Sequence, residues 1–127
     1  MLFRSNGTLT PLGSYPTLPE DFQGDSTTAE LRVSPNGKHV YTSNRGHDSI
    51  AVFKLDPTAG TLARVQIIST DGKTPRNFAL DPTGSILVVA NQQSDTLVSF
   101  RVDQDTGILS PTGNTATIPA PTYILFY

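Results

Sequence analysis

Few residues in this sequence have side chains that could do chemistry. Glu30 carries a carboxylate that could take a proton from water. Arg45 and Arg76 carry guanidinium groups that could hold an oxyanion, or clamp a phosphate or carboxylate in bidentate fashion. Asn44, His47, Asn77 and Asn91 are polar side chains able to orient a small molecule nearby. Cysteine is absent, which removes thiolate chemistry and any disulfide framework. His39 and His47 stand eight residues apart with no tight His/Asp cluster, so the chemistry is expected to need no metal and no cofactor.

What must position these residues is a repeat. Shifted by 47 positions, residues 31–62 fall on residues 78–109 with eight identities in 32 positions. Pro35 meets Pro82, Gly37 meets Gly84, Asn44 meets Asn91, Asp48 meets Asp95 and Phe53 meets Phe100. The matches fall on turn residues and apolar positions, where a repeated fold needs them. Each repeat reads as four strands, in the first case at residues 30–34, 38–44, 49–55 and 62–69. The turns between them use Ser-Pro-Asn-Gly and Asp-Pro-Thr-Ala-Gly, in which Pro presets φ and Gly accepts a positive one. Four strands every ~40–50 residues predict β-propeller blades, an all-β fold of antiparallel four-stranded sheets. The boundaries follow: residues 1–28 end one blade and its connecting loop, 29–74 and 75–120 are whole blades, and 121–127 begin another. Closed propellers have about four to eight blades, so the chain is expected to be part of a larger one. The blade faces left open are expected to favour self-association.

Composition narrows the partners. The net charge is −2 with scattered basic residues, which excludes an electrostatic footprint for nucleic acid or an anionic membrane. No apolar run approaches the ~18 residues of a membrane span. Residues 1–7 hold no apolar signal stretch, so a cytoplasmic protein is expected. The Asn6-Gly7-Thr8 sequon would matter only in a secreted one.

In a blade, the connection entering the first strand and the loop between the second and third strands open on the same side of the disc. Glu30, Arg76, Asn77 and the loops 44–48 and 91–95 therefore share one side, near the axis. Each also has a plain structural use. Asn44 and Asn91 suit strand ends, and Asp48 and Asp95 suit side-chain turns with the loop backbone. His47 suits a solvated loop, His39 an outward-facing structural position, Arg76 a pair with a neighbouring blade, and Glu30 a buried partner for an arginine.

Several ordered motifs resemble a known family. They are Ala29-Glu30-Leu31-Arg32-Val33-Ser34-Pro35-Asn36-Gly37, Ser43-Asn44-Arg45-Gly46-His47-Asp48, Thr74-Pro75-Arg76-Asn77-Phe78-Ala79-Leu80-Asp81-Pro82 and Val89-Ala90-Asn91-Gln92. Together with Leu18-Pro19-Glu20-Asp21-Phe22 they resemble the lactonase family of seven-bladed propellers, which includes 6-phosphogluconolactonase and shares its fold with carboxymuconate cyclases. The resemblance covers nearly the whole chain and maps onto the last third of a family member. It implies carbohydrate metabolism and a sugar-lactone substrate opened in the central channel by Arg45, Arg76 and Glu30. Asn44, His47, Asn77 and Asn91 would then contact substrate. The family's other acidic position, an Asn-Glu pair on the preceding blade, and its upstream histidine region have no counterpart here, so catalysis is assigned to a larger parent. A lactone-forming cyclase on the same site, or a non-catalytic binding propeller, are the alternatives.

Overall fold

Period-two apolar segments punctuated by Asp, Asn, Pro and Gly fold as strands joined by tight turns. The computed structural model describes residues 2–5 and 7–127, the first group as backbone alone. Asn6 of the sequon lies outside the described residues. The strands are β1 (Leu2–Ser5), β2 (Leu9–Gly13), β3 (Thr27–Val33), β4 (His39–Arg45) and β5 (Ser49–Asp56), then β6 (Thr61–Ser69) and β7 (Pro75–Leu80). β8 (Ile86–Asn91), β9 (Thr96–Val102) and β10 (Leu109–Thr117) complete the set, with one short 3₁₀ turn at Gln92–Ser94. β3-β4-β5-β6 and β7-β8-β9-β10 are two antiparallel meanders, preceded by the β1-β2 hairpin. The predicted four-strand repeat is thus present twice. β3 reaches back to Thr27, because Thr27 and Thr28 pair with Arg45 and Asn44.

Recurrent turn chemistry fixes the meanders. The Asp56 carboxylate accepts the N–H groups of Thr58 and Ala59, both at 2.9 Å. Asp103 repeats this with Asp105 and Thr106, at 2.9 and 3.0 Å. Gly60 and Gly107 close these turns with φ of 67° and 78°, which side chains rarely tolerate.

The main core lies in the seam between the two sheets. Tyr41, Ile50 and Val52 of the first sheet meet Phe78, Leu87, Val89, Phe100 and Leu109 of the second. A smaller cluster of Val40, Ala51 and Phe53 occupies the other face of the first sheet, under Tyr15. The sheets approach most closely where β7 packs on β3 and β4, so these first strands form the narrow, inner edge. Hydrogen bonds cross the same seam. Tyr41 donates to the Gly107 carbonyl at 3.0 Å, and Gln66 bonds both backbone groups of Leu109 at 2.8 and 3.0 Å.

His39 corrects the outward position read from strand alternation. Its face of β4 points into the seam, leaving the ring 1% exposed. Residues 121–127, where the repeat predicts another first strand, run past β7 without a ladder. One bond, from the Ile124 N–H to Asn77 at 2.9 Å, fixes them there. Among the described residues no helix is long and apolar enough to cross a membrane.

A candidate active site at the inner strands

Both first strands carry a β-bulge at the same repeat position. In β3, Ala29 and Glu30 stand between the pairs Thr28–Asn44 and Leu31–Thr42. In β7, Arg76 is the extra residue between Pro75–Asn91 and Asn77–Ala90. A bulge re-aims its side chains and commonly sits beside a functional site. Here it turns Glu30 and Asn77 toward each other across the seam. The Glu30 N–H, displaced from the ladder, is satisfied by the Ser43 hydroxyl at 3.1 Å.

Glu30 sits in a polar cluster of its own. The Asn77 amide donates to its Oε2, the Leu31 N–H donates to its Oε1 at 3.1 Å, and the Arg32 Nε stands 3.5 Å from Oε1. Arg32 was not among the residues singled out by motif. The available signal was its spacing, because residues two apart on a strand share a face.

Arg45 ends β4, with a buried Nε that has no hydrogen-bond partner. Arg76 is exposed and its Nη1 reaches the Gln92 side chain at 3.4 Å. In repeat terms Gln92 stands where Arg45 stands, and Ala29 where Arg76 stands, so each sheet supplies one arginine of the pair. Asp48 brings the two arginine segments together. In the Arg45 loop its carboxylate accepts the Thr74 N–H at 2.9 Å, two residues before Arg76. Its carbonyl accepts the Thr70 N–H at 3.0 Å.

The remaining predicted residues hold this frame. Asn44 donates to the Thr17 carbonyl at 2.9 Å, and Asn91 donates to the Thr70 carbonyl at 2.9 Å. Each therefore clasps the segment arriving from the preceding sheet. Both are fully buried, and the Oδ1 of each has no partner. Asp48 makes the side-chain turn its sequence suggests, accepting the Gly46 N–H at 3.2 Å, whereas the Asp95 side chain turns to a distant segment. Both stand in the left-handed region at φ 55° and 56°. Asp95 repeats the strap, accepting the Ala120 N–H at 2.7 Å. His47 bonds the Ser49 hydroxyl through Nδ1 at 2.8 Å and meets the Phe22 ring edge-on at 4.8 Å. The structure thus joins Glu30 to Asn77 directly and the Arg45 loop to the Arg76 strand through Asp48, and seats His47 against Phe22.

Two shifted titrations lie on β4 away from Arg45, His39 six residues and about 20 Å from it and Tyr41 four residues from it. Burial pushes the His39 ring down, and Lys38 and Lys54 add to it. Burial pushes the Tyr41 phenol up to about 12, with Asp103 acting the same way. Among the described residues no three His, Cys, Asp or Glu side chains gather to hold a metal ion.

Comparison with known proteins agrees with this geometry. The family described as lactonase, 7-bladed beta-propeller, matches residues 2–126. The 6-phosphogluconolactonase of Bacillus subtilis is 41% identical over 109 residues, covering 86% of this chain and 31% of that protein. The periplasmic gluconolactonase of Pseudomonas aeruginosa superposes with a TM-score of 0.88 at 34% identity, covering 94% of this chain and 33% of that one. A crystallised protein of Lactobacillus plantarum superposes at 0.85 with 38% identity, covering 90% and 33%. The chain therefore spans about a third of the length of these relatives, at 31–33%. The paired sheets, the repeated inner-strand bulge and the match over residues 2–126 lead to one assignment: this chain belongs to the lactonase family of seven-bladed β-propellers.

Proposed function

We propose that this chain carries part of the active site of a lactone hydrolase that opens a sugar lactone, with a 6-phosphogluconolactone as the favoured substrate. The relatives named 6-phosphogluconolactonase and gluconolactonase support the substrate class. The observation that carries the proposal is the Asp48–Thr74 bond, which draws the Arg45 loop onto the entry of the Arg76 strand. On this reading the two guanidinium groups share one mouth with the Glu30 carboxylate on the adjoining inner strand.

In the proposed reaction, water attacks the lactone carbonyl carbon, the ring C–O bond breaks, and the ring oxygen leaves as a hydroxyl. Glu30 takes a proton from the attacking water and passes it to the departing ring oxygen. One arginine stabilises the oxyanion as charge develops on the carbonyl, and the other holds the phosphate. In this proposal Asn44, His47, Asn77 and Asn91 form the polar frame around these groups. A phosphorylated substrate places the protein in the cytoplasm, whereas the gluconolactonase relative is described as periplasmic.

Acid release from 6-phosphogluconolactone, followed at constant pH with this chain inside a complete seven-bladed propeller, tests the proposal. The expected result is turnover above the spontaneous rate, with Arg76→Ala lowering kcat/KM about a hundredfold. Release at the spontaneous rate by that complete propeller would sink the hydrolase assignment. Full activity in the Arg76 variant would remove Arg76 alone.

A further inference from the structure

We propose that Asn77 is a positioning residue that sets the orientation of the Glu30 carboxylate, and that the chain segment at Ile124 sets the orientation of Asn77. The three residues are spaced one repeat apart, at 30, 77 and 124, so they fall at the same place in the 47-residue repeat. Asn77 is 4% exposed and has both ends of its amide engaged. Its Nδ2 donates to Glu30 Oε2, and its Oδ1 accepts the Ile124 N–H at 2.9 Å.

These partners admit one amide orientation. A carboxylate needs a donor and a backbone N–H needs an acceptor, so a flipped amide would face oxygen with oxygen and N–H with N–H. Asparagine supplies both ends at this length. Aspartate would set a second carboxylate against Glu30, and alanine would leave Oε2 and the Ile124 N–H without this partner. With both ends occupied, Asn77 acts on substrate through Glu30.

The consequence for Glu30 is directional. Each carboxylate oxygen has two acceptor positions. Oε1 receives the Leu31 N–H at 3.1 Å and faces Arg32 Nε at 3.5 Å, while Oε2 receives Asn77. Asn77 takes one position on Oε2 and leaves the other for a water molecule, so its bond aims the remaining lone pair. This role in turnover rests on the hydrolase proposal above. The Glu30–Asn77–Ile124 arrangement itself does not.

The experiment has two arms that separate those cases. In the first, amide NMR spectra of the full chain are compared with those of Glu30→Gln. The Asn77 side-chain protons are expected to shift strongly, and the Ile124 N–H is expected to stay protected from exchange. An Asn77 resonance indifferent to Glu30→Gln would overturn the positioning role whether or not lactone is turned over, and this arm needs no Asn77 variant to fold. In the second, Asn77→Ala is expected to lower kcat about tenfold with KM held within about twofold, because only transition-state alignment is lost. The Glu30→Gln/Asn77→Ala double variant should be no slower than Glu30→Gln alone. A raised KM with unchanged kcat, or additive losses, would instead make Asn77 a substrate contact and overturn the proposal. Absence of any turnover by the unsubstituted chain inside a complete propeller defeats the hydrolase proposal, and the first arm then decides the positioning role alone.

Discussion

The two complete blades are built on one sequence plan, yet equivalent residues meet different surroundings. Phe78 in the second blade is fully buried, whereas Leu31, one repeat earlier, is 54% exposed. On the opposite faces the order reverses. Tyr41 and Ile50 of the first blade are fully buried, while their counterparts Val88 and Leu97 are only partly so. Each blade is therefore finished by its neighbour, and one face of each lacks that neighbour within the described residues. Stability in such an arrangement resides in the seams, as in other repeat folds. A residue's contribution depends on which seam it enters more than on its type.

The largest test of this difference is truncation at equivalent sites. Phe78→Ala should cost about 3–5 kcal/mol, because it removes a ring from the packed seam and leaves a cavity. Leu31→Ala should change stability by no more than about 0.5 kcal/mol, since its site lies mostly in solvent. Urea unfolding at low protein concentration reads both. Equal costs would mean that another surface covers Leu31 in solution.

A smaller effect is expected at the glycines that close the third turns. Gly60 and Gly107 are one repeat apart and share a left-handed backbone, so alanine strains both by about 1 kcal/mol. Their surroundings differ. A methyl group on Gly107 would stand 2.5 Å from the His39 ring, whereas on Gly60 it would meet the tip of Leu12 at 3.0 Å. Gly107→Ala should therefore cost about 1–3 kcal/mol more than Gly60→Ala, the usual range for overpacking a seam. Combining Gly107→Ala with His39→Ala should recover part of that difference, and no recovery would place the strain in the backbone instead.

Turn chemistry and period-two patterning are local, so strands, turns and the blade repeat were legible from residues alone. The resemblance around Arg45 and Pro75-Arg76-Asn77 carried the family. What could not be read was anything set by the neighbouring blade. His39 alternates with apolar residues on a strand buried on both faces, so alternation could not distinguish seam from solvent. Arg32 stands two residues from Glu30, but the direction of the Glu30 side chain is set by a bulge, which spacing alone does not reveal. The straps made by Asp48 and Asp95 join segments more than twenty residues apart, at 26 and 25, which no local pattern encodes.

The smallest expected effect is a slope with pH, and it separates the two blades by chemistry. His39 lies in the seam with Nδ1 and Nε2 both buried and without a partner, while the second blade has Ile86 at the same place. Burial holds the ring below its ordinary value, Lys38 and Lys54 push it further down, and Asp103 opposes them. In the unfolded chain the same ring takes a proton near about pH 6.5. Between the folded and unfolded values the unfolded chain binds more protons, so stability falls as pH drops below about 6.5. Above that value the ring is neutral in both states and contributes no slope. His39→Ile gives the first blade the residue of the second and should flatten the dependence between pH ~7.5 and ~5. In that window Asp103 remains ionised, because the N–H groups of Thr106 and Asp105 hold its carboxyl below the usual range. The change with pH in the difference between the two urea midpoints, with and without the imidazole, therefore belongs to the His39 ring. If both proteins lose stability equally on acidification, the ring is protonated in the folded seam, and Asp103 has moved to pair with it.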